Sequence, residues 1–331
     1  MSRKVTIFTG QWSDMPFEEL CKTMSGLGYE GLEIACWGDH LDAFKAAEDL
    51  DYVNDKKAIL EKYGLDCWAL GNHLAGQCVG DDYDKRLDAL APPELAGDAE
   101  KIRQWGIDYT IAVGKAAKNM GCYVVTGFMG SPIWRYLYSF PQTTQQMVDD
   151  GFKKIFELWS PILDVYKECG VKYALEVHPT EIAYDHYTTK KLFEVFKDRP
   201  ELGLNFDPSH LIWQGMTPHL MIRDFSDRIY HVHMKDAAVT LDGRTGILGS
   251  HIDFGDSRRG WNFRSLGHGD VDFEEIIRAL NDINYTGPLS VEWEDSGMDR
   301  MFGAKEACGY VKNIDFAPSD IAFDEGMKKK E

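Results

Sequence analysis

The chain alternates eight times between a short apolar run and a longer segment with helical periodicity, and this alternation constrains its fold more than any other feature. Strand candidates fall at 5–12, 31–36, 67–73, 123–130, 172–179, 202–208, 229–236 and 287–295. No Ser/Gly/Pro-rich linker or shift of composition divides the 331 residues, and α/β barrels commonly run beyond about 250 residues as one unit. The expected fold is therefore α/β, a single (β/α)8 TIM barrel domain spanning residues 1–331.

Between the runs, PFEELCKTMSGLG reads as a helix opened by Pro16 and closed by Gly28, and DFEEIIRALNDIN as one capped by Asp272. Segments 39–64, 93–121 and 143–170 each have room for one long helix or two shorter ones. The stretch 237–270, AAVTLDGRTGILGSHIDFGDSRRGWNFRSLGHGD, has no apolar period and reads as a long loop after the seventh strand, over the active-site face. Residues 318–331 form a charged tail whose lysines are expected to be solvated.

Four ligand-type residues sit near the carboxyl ends of four successive runs: Glu176 in KYALEVHP, Asp207 in LGLNFDP, His233 in IYHVHMKD and Glu292 in GPLSVEWED. Functional groups of a parallel barrel collect at that face. Three carboxylates and an imidazole suit one hard or borderline divalent cation, Mn²⁺ first, with Mg²⁺, Co²⁺ or Zn²⁺ as alternatives. Strand alternation turns His178 inward with Glu176, His231 with His233 and Asn205 with Asp207. A metal there polarises a substrate carbonyl, and Glu176 and Glu292 serve as an acid/base pair that removes and returns protons beside it. Isomerisation, epimerisation and β-elimination all pass through that enolate.

Composition excludes other classes. With 54 acidic against 36 basic residues the formal charge is −18, so the basic footprint of a nucleic-acid binder is missing. The chain enters its first strand without an apolar signal core and has no run of about 18 apolar residues, so a membrane protein is not expected and a cytoplasmic location is. Seven scattered cysteines without a CxxC pair read as free, buried thiols.

The ordered strings GLEIACWGDH, NHLAGQCVGD, ALEVHPTEIAYD, NFDPSHL, HVHMKD, LGHGDVDF and LSVEWED resemble the sugar phosphate isomerase/epimerase family of xylose-isomerase-like TIM barrels across essentially the whole chain. The resemblance implies metal ligation by Glu176, Asp207, His233 and Glu292, acid/base roles for the two glutamates, and substrate contact by His210. Ketose 3-epimerases carry a Glu and an Arg where this chain has Ile182 and Val239. The EVHPTEIAYD and LGHGDVDF forms, together with the long loop after the seventh strand, look closer to proteins that handle inososes, 3-keto sugars or glycosides, including the metal-binding α subunits of C-glycoside deglycosidases, which are lyases.

Further pocket candidates are Trp12, Glu33, His73, Gln77, His178, Phe128, Trp134 and Lys235. Aromatic faces suit a sugar ring, and His73, Gln77 and Lys235 supply donors to hydroxyls. Trp12 and Phe128 read equally as barrel core, Glu33 as a hydrogen-bonded strand-end carboxylate, and Lys235 as an ion pair. Arg258, Arg259, Arg264 and His268 are candidates for an acidic substrate group or a solvated face. The expected function is a divalent-metal-dependent sugar isomerase or epimerase working through a metal-stabilised enediolate on a small sugar, keto-sugar or glycoside. The alternatives are a lyase subunit paired with a small β-sandwich chain, an inosose-type dehydratase, an endonuclease-type barrel disfavoured by charge, and a sugar-binding barrel without activity. A homo-oligomer is left open.

Overall fold

A computed structural model of the chain describes residues 2–321 and 325–327. Eight parallel strands close a barrel: β1 Val5–Phe8, β2 Gly31–Ala35, β3 Asp66–Gly71, β4 Val124–Gly127, β5 Lys172–Glu176, β6 Leu202–Phe206, β7 Ile229–Met234 and, after an insertion, β10 Leu289–Val291. The barrel closes where Val5 pairs with Leu289 and Ile7 with Val291. Each expected strand run coincides with one of these strands, β3 starting one residue before its run at Asp66. The first is shorter than expected, because after Phe8 the chain coils into a single helical turn at Gly10–Trp12.

The helices form where their end signals lie. Phe17–Leu27 follows Pro16 and stops at Gly28, whose φ of 98° is left-handed and suits a residue without Cβ. Phe273–Asp282 begins where Asp272 accepts the Glu275 backbone N–H. Segment 39–64 splits at Asp49, which ends Ala43–Glu48 and caps Leu50–Lys62 by accepting from Asp51 and Tyr52. Ala99–Met120 and Gln145–Cys169 are each one long helix. Their apolar faces pack on the outside of the barrel, where Ile155, Trp159, Ile162 and Tyr166 are fully buried. All seven cysteines are free; five are buried and Cys67 and Cys169 are half-buried.

The inside of the barrel is polar at its functional end. Glu33, Thr126, Asn205, His231 and Ser290 are completely buried and bond to one another and to the site residues. The strand register shifts at Leu32/Glu33 and again at Leu204/Asn205. Such irregularities re-aim side chains beside functional sites.

The segment 237–270 is not a bare loop. Residues Asp236–Val239 (β8) continue almost directly from β7 and pair antiparallel with Trp261–Arg264 (β9). Ala237, Trp261 and Phe263 bury a small core of their own, packed against Ile212, Trp213 and Ile247. Trp213 and Trp261 stack with centroids 4.4 Å apart and planes 5° from parallel. At the base, Asp236 accepts four backbone N–H groups, from Ala237, Gly267, Gly269 and Val271. The apolar residues were masked in the sequence because they alternate over only four positions.

Among the described residues no helix is long and apolar enough to cross a membrane. Lys328, Lys329 and Lys330 of the tail lie outside the described residues.

Candidate metal centre

Strands β5, β6, β7 and β10 bring Glu176, Asp207, His233 and Glu292 together, with one donor atom from each lying within 4.8 Å of the others. Glu176 ends β5, Asp207 and Glu292 follow their strands by one residue, and His233 lies within β7. His233 Nδ1 is the hub, lying 2.7 Å from Glu292 Oε2, 3.2 Å from Glu176 Oε2 and 3.9 Å from Asp207 Oδ2. All four side chains are at least nine-tenths buried.

The donor set fits a divalent cation. Asp207 Oδ2 and Glu292 Oε2 are buried without a well-formed hydrogen bond among the described residues, and both face the same point. Three buried carboxylates around one imidazole are otherwise costly, because like charges in a dry site repel. Burial pushes Asp207 up to about 6 despite His210 and Lys235 nearby. Burial acts the same way on Glu292, but Lys235 and His233 outweigh it and hold the carboxyl down at about 2. Glu176 is likewise raised by burial and then drawn well below the carboxylate range by His210, His233 and His73.

Glu33 fixes the hub from below. Its Oε2 lies 2.8 Å from His233 Nε2, 2.9 Å from His231 Nε2 and 2.8 Å from the Ser290 hydroxyl. Thr126 donates to its other oxygen at 2.5 Å. Burial lowers His233, but Glu33 and Glu292 more than reverse this and hold it well above the usual imidazole range, so without a cation both ring nitrogens carry protons; with a cation bound, Nε2–H would keep donating to Glu33 and leave the Nδ1 lone pair for the ion. The register shift at Leu32/Glu33 sits where this carboxylate turns inward. Asn205 completes the layer by donating to Glu176 Oε2 at 3.1 Å.

Above this layer opens a pocket of about 370 Å³ lined by Phe8, Gln11, Trp37, His73, Phe128, Glu176, His178, His210, Lys235, Phe263, Glu292 and Glu294 among others. Of the four cage residues only the two glutamates reach it. His210 Nε2 lies 3.0 Å from Glu176 Oε1, and the His178 and His210 rings pack edge to face at 4.0 Å. Burial, with His210 beside it, holds His178 well below the usual imidazole range. Lys235 Nζ lies 3.1 Å from Glu292 Oε1 and 3.4 Å from Glu294 Oε1, over the Phe263 ring at 4.2 Å. Burial lowers its ammonium, but Glu292 and Glu294 more than reverse this, so it stays charged.

Of the residues put forward as substrate contacts, His73, His178, His210 and Lys235 line this pocket, as does Phe128; Trp12, Gln77 and Trp134 do not. Trp12 is fully buried, packed on Trp293 at 6.4 Å with Arg300 at 5.0 Å from its ring, because the turn after β1 swings it inward. Its neighbour Gln11 faces the pocket instead and donates to Glu292 Oε1 at 3.0 Å and Glu294 Oε1 at 3.2 Å. Trp134 packs on Tyr184 at 5.3 Å.

Gln77 donates to Asp81 Oδ1, which also accepts the Ser131 N–H, while Glu181 Oε2 accepts from Met129 and Gly130, each at 2.7 Å. This acid pair holds the backbone just after Phe128. The insertion's cations also face elsewhere. Arg258 pairs with Asp256, Arg259 Nη1 donates to the Ile252 carbonyl, Arg264 approaches Asp295 and His268 lies beside Glu306.

The chain is a closed parallel barrel with a cluster of carboxylates and an imidazole at its carboxyl end that could hold a metal ion, and the sequence profile of the xylose isomerase-like TIM barrel family matches residues 21–316. The chain belongs to that family. It is similar to the uncharacterized protein YfiH of Bacillus subtilis strain 168, with 25% identity over 93% of this chain and 98% of that one. It is also 28% identical to an inosose dehydratase of Clostridium beijerinckii over 57% of this chain and 60% of the dehydratase. The apo structure of the 3-keto-D-glucoside 4-epimerase YcjR from E. coli superposes with a TM-score of 0.66 at 15% identity, over 94% of this chain and 99% of that one.

Proposed function

We propose that this protein is a divalent-metal-dependent enzyme that abstracts a proton beside a sugar carbonyl and returns one elsewhere, as an isomerase or epimerase. The observation that carries this reading is that Glu176 and Glu292 are the two cage residues that open into the pocket, with Asp207 and His233 beneath them. Glu176, Asp207, His233 and Glu292 would hold the cation, with Mn²⁺ the first candidate for this donor set. When bound, it supplies Lewis acidity that polarises a carbonyl and acidifies the neighbouring C–H.

The chain's own residues do the rest. Glu176 and Glu292 stand on separate strands and serve as proton acceptor and donor. Lys235 and Gln11 hold Glu292 ionised and oriented, since both reach its Oε1. His210 and His73 do the same for Glu176 and offer donors to hydroxyls. Phe8, Phe128 and Trp37 supply the apolar walls that a sugar ring's C–H faces require. Elimination is the second reading, supported by the similarity to inosose dehydratase and by the neutral His178 facing the pocket beside His210.

The test is incubation of the Mn²⁺-loaded protein with ketoses, inososes and 3-keto-glycosides in D₂O. Deuterium at one carbon of a recovered sugar is expected, whichever product forms. Tight binding without any exchange would refute both readings and leave a sugar-binding barrel.

A further inference from the structure

Next to the pocket lies a second cavity of about 250 Å³, lined by Gln11, Phe254, Phe263, Trp293, Glu294, Asp295 and Ser296. Gln11, Phe263 and Glu294 belong to both linings, so the two spaces adjoin across a shared wall. We infer that the side cavity is a subsite for a second ring, and that the substrate is a glycoside whose uncharged ring substituent sits against the edges of the stacked Phe254 and Phe263 rings and against Trp293. This inference rests on the sugar reading of the main pocket.

Size permits it, since a cavity of roughly 150 Å³ holds one benzene. Three of the seven lining residues are aromatic; Phe254 and Phe263 stack on each other with centroids 5.1 Å apart, so they present an apolar rim to a ring rather than open faces. Charge narrows the class. Glu294 and Asp295 border the space, and the nearby arginines are committed: Arg259 lies over Phe254 at 3.8 Å with its Nη1 on the Ile252 carbonyl, and Arg264 approaches Asp295. A phosphate or carboxylate would meet two carboxylates there, whereas a neutral ring would not.

The wall is built rather than draped. Ser265 N–H donates to Asp295 Oδ2, Trp293 Nε1–H donates to Ser265 Oγ, and the Gly255 N–H donates to the Asn262 side chain. These bonds tie the insertion to the end of β10 and fix Phe254 and Phe263 before a ligand arrives. A fixed aromatic wall loses little freedom on binding, which favours a second ring over a flexible chain.

The inference is tested by titrating the Mn²⁺-loaded full chain with methyl and phenyl 3-keto-β-D-glucosides and measuring both dissociation constants by calorimetry. The phenyl compound is expected to bind at least ten-fold tighter in the wild type, and the ratio to fall to about one in Phe254→Ala. Ser296→Trp, which fills the cavity from the opposite wall, is expected to collapse the ratio too and decides the matter should Phe254→Ala disturb the insertion. Near-ultraviolet circular dichroism of the packed Trp213–Trp261 pair, compared with the wild type, reports whether the insertion is folded. Equal affinities in the wild type, or a phenyl preference that survives both variants, would overturn the subsite. Deuterium exchange separates this from the proposed function. Exchange without a phenyl preference sinks the subsite alone, and a phenyl preference lost in the variants but without exchange sinks the enzymatic reading alone.

Discussion

Replacing Glu33 with Gln tests whether the carboxylate beneath His233 sets the metal site. In the wild type, Oε2 faces two imidazole nitrogens and the Ser290 hydroxyl, and the other oxygen accepts from Thr126. A Gln side chain can turn its carbonyl to the first three groups and its NH₂ to the Thr126 oxygen, so shape and bond count survive and only the charge is lost. Hydrogen bonds to a charged acceptor contribute about 1.5–3 kcal/mol and neutral ones about 0.5–1.5. Two imidazole bonds each weakened by about 1 kcal/mol give a loss of roughly 2 kcal/mol of stability in the metal-free protein. The half that passes through His233, about 1 kcal/mol, lowers its basicity and costs about five-fold in metal affinity, just under what supporting residues commonly contribute. Glu33→Ala is a different perturbation. It strands three buried donors, since Thr126 still reaches the Leu70 carbonyl, at about 1–3 kcal/mol each, enough to threaten a fold whose total stability is about 5–15 kcal/mol. Chelator competition with Mn²⁺ and thermal melts of the metal-free protein measure both effects. Metal affinity in Glu33→Gln within two-fold of wild type would refute the reasoning.

Three other outcomes are expected. His233→Ala should lose stoichiometric metal after mild dialysis, measured by elemental analysis, since the hub of the cage is gone. Glu176→Gln and Glu292→Gln should keep part of the metal affinity while turnover falls by about 10²–10⁴, and the variant that lacks the initiating base should lose deuterium wash-in while the other retains it. Asp81 is raised to about 6 by burial from 3.8, so its native state holds a proton more tightly than the unfolded chain. Stability from this group is therefore present below about pH 4 and lost as pH rises through about 6. Asp81→Asn keeps an oxygen for the Ser131 N–H and should gain up to roughly 3 kcal/mol at pH 8 and nothing at pH 4, read from denaturant melts at both pH values.

The barrel was legible because each buried parallel strand is a short apolar run and each helix carries its own end signals. The cage was legible for a related reason. Parallel strands present their last residues at one face, so Glu176, Asp207, His233 and Glu292 needed only the strand assignment to converge. The parts that stayed hidden depend on departures from regular geometry. Glu33 reads from the sequence as a hydrogen-bonded strand-end carboxylate, which it is, but that its partner is His233 goes with a register shift that no periodicity encodes. Trp12 and Gln11 exchanged places because β1 ends at Phe8 and the next turn rotates both. Asp81 and Glu181 meet across 100 residues of sequence, and each alone looks like a loop carboxylate. The β8–β9 pair escaped notice because β8 runs on from β7 with only Lys235 between them, leaving no turn signal to separate the two.

The stacked Trp213–Trp261 pair ties two connecting segments that a barrel normally keeps separate. Trp213 closes the short helix Ser209–Ile212 that carries His210, and Trp261 opens β9 of the insertion. Loops on this face are often treated as interchangeable modules, grafted one at a time to redirect a scaffold. Here the sixth and seventh connections form a single transplantable block. A graft that moves residues 237–270 without 209–216 exposes one indole and leaves His210 without the Phe263 ring at 5.5 Å that backs it. Diversification of substrate range in this chain therefore has to proceed by paired exchange of both connections.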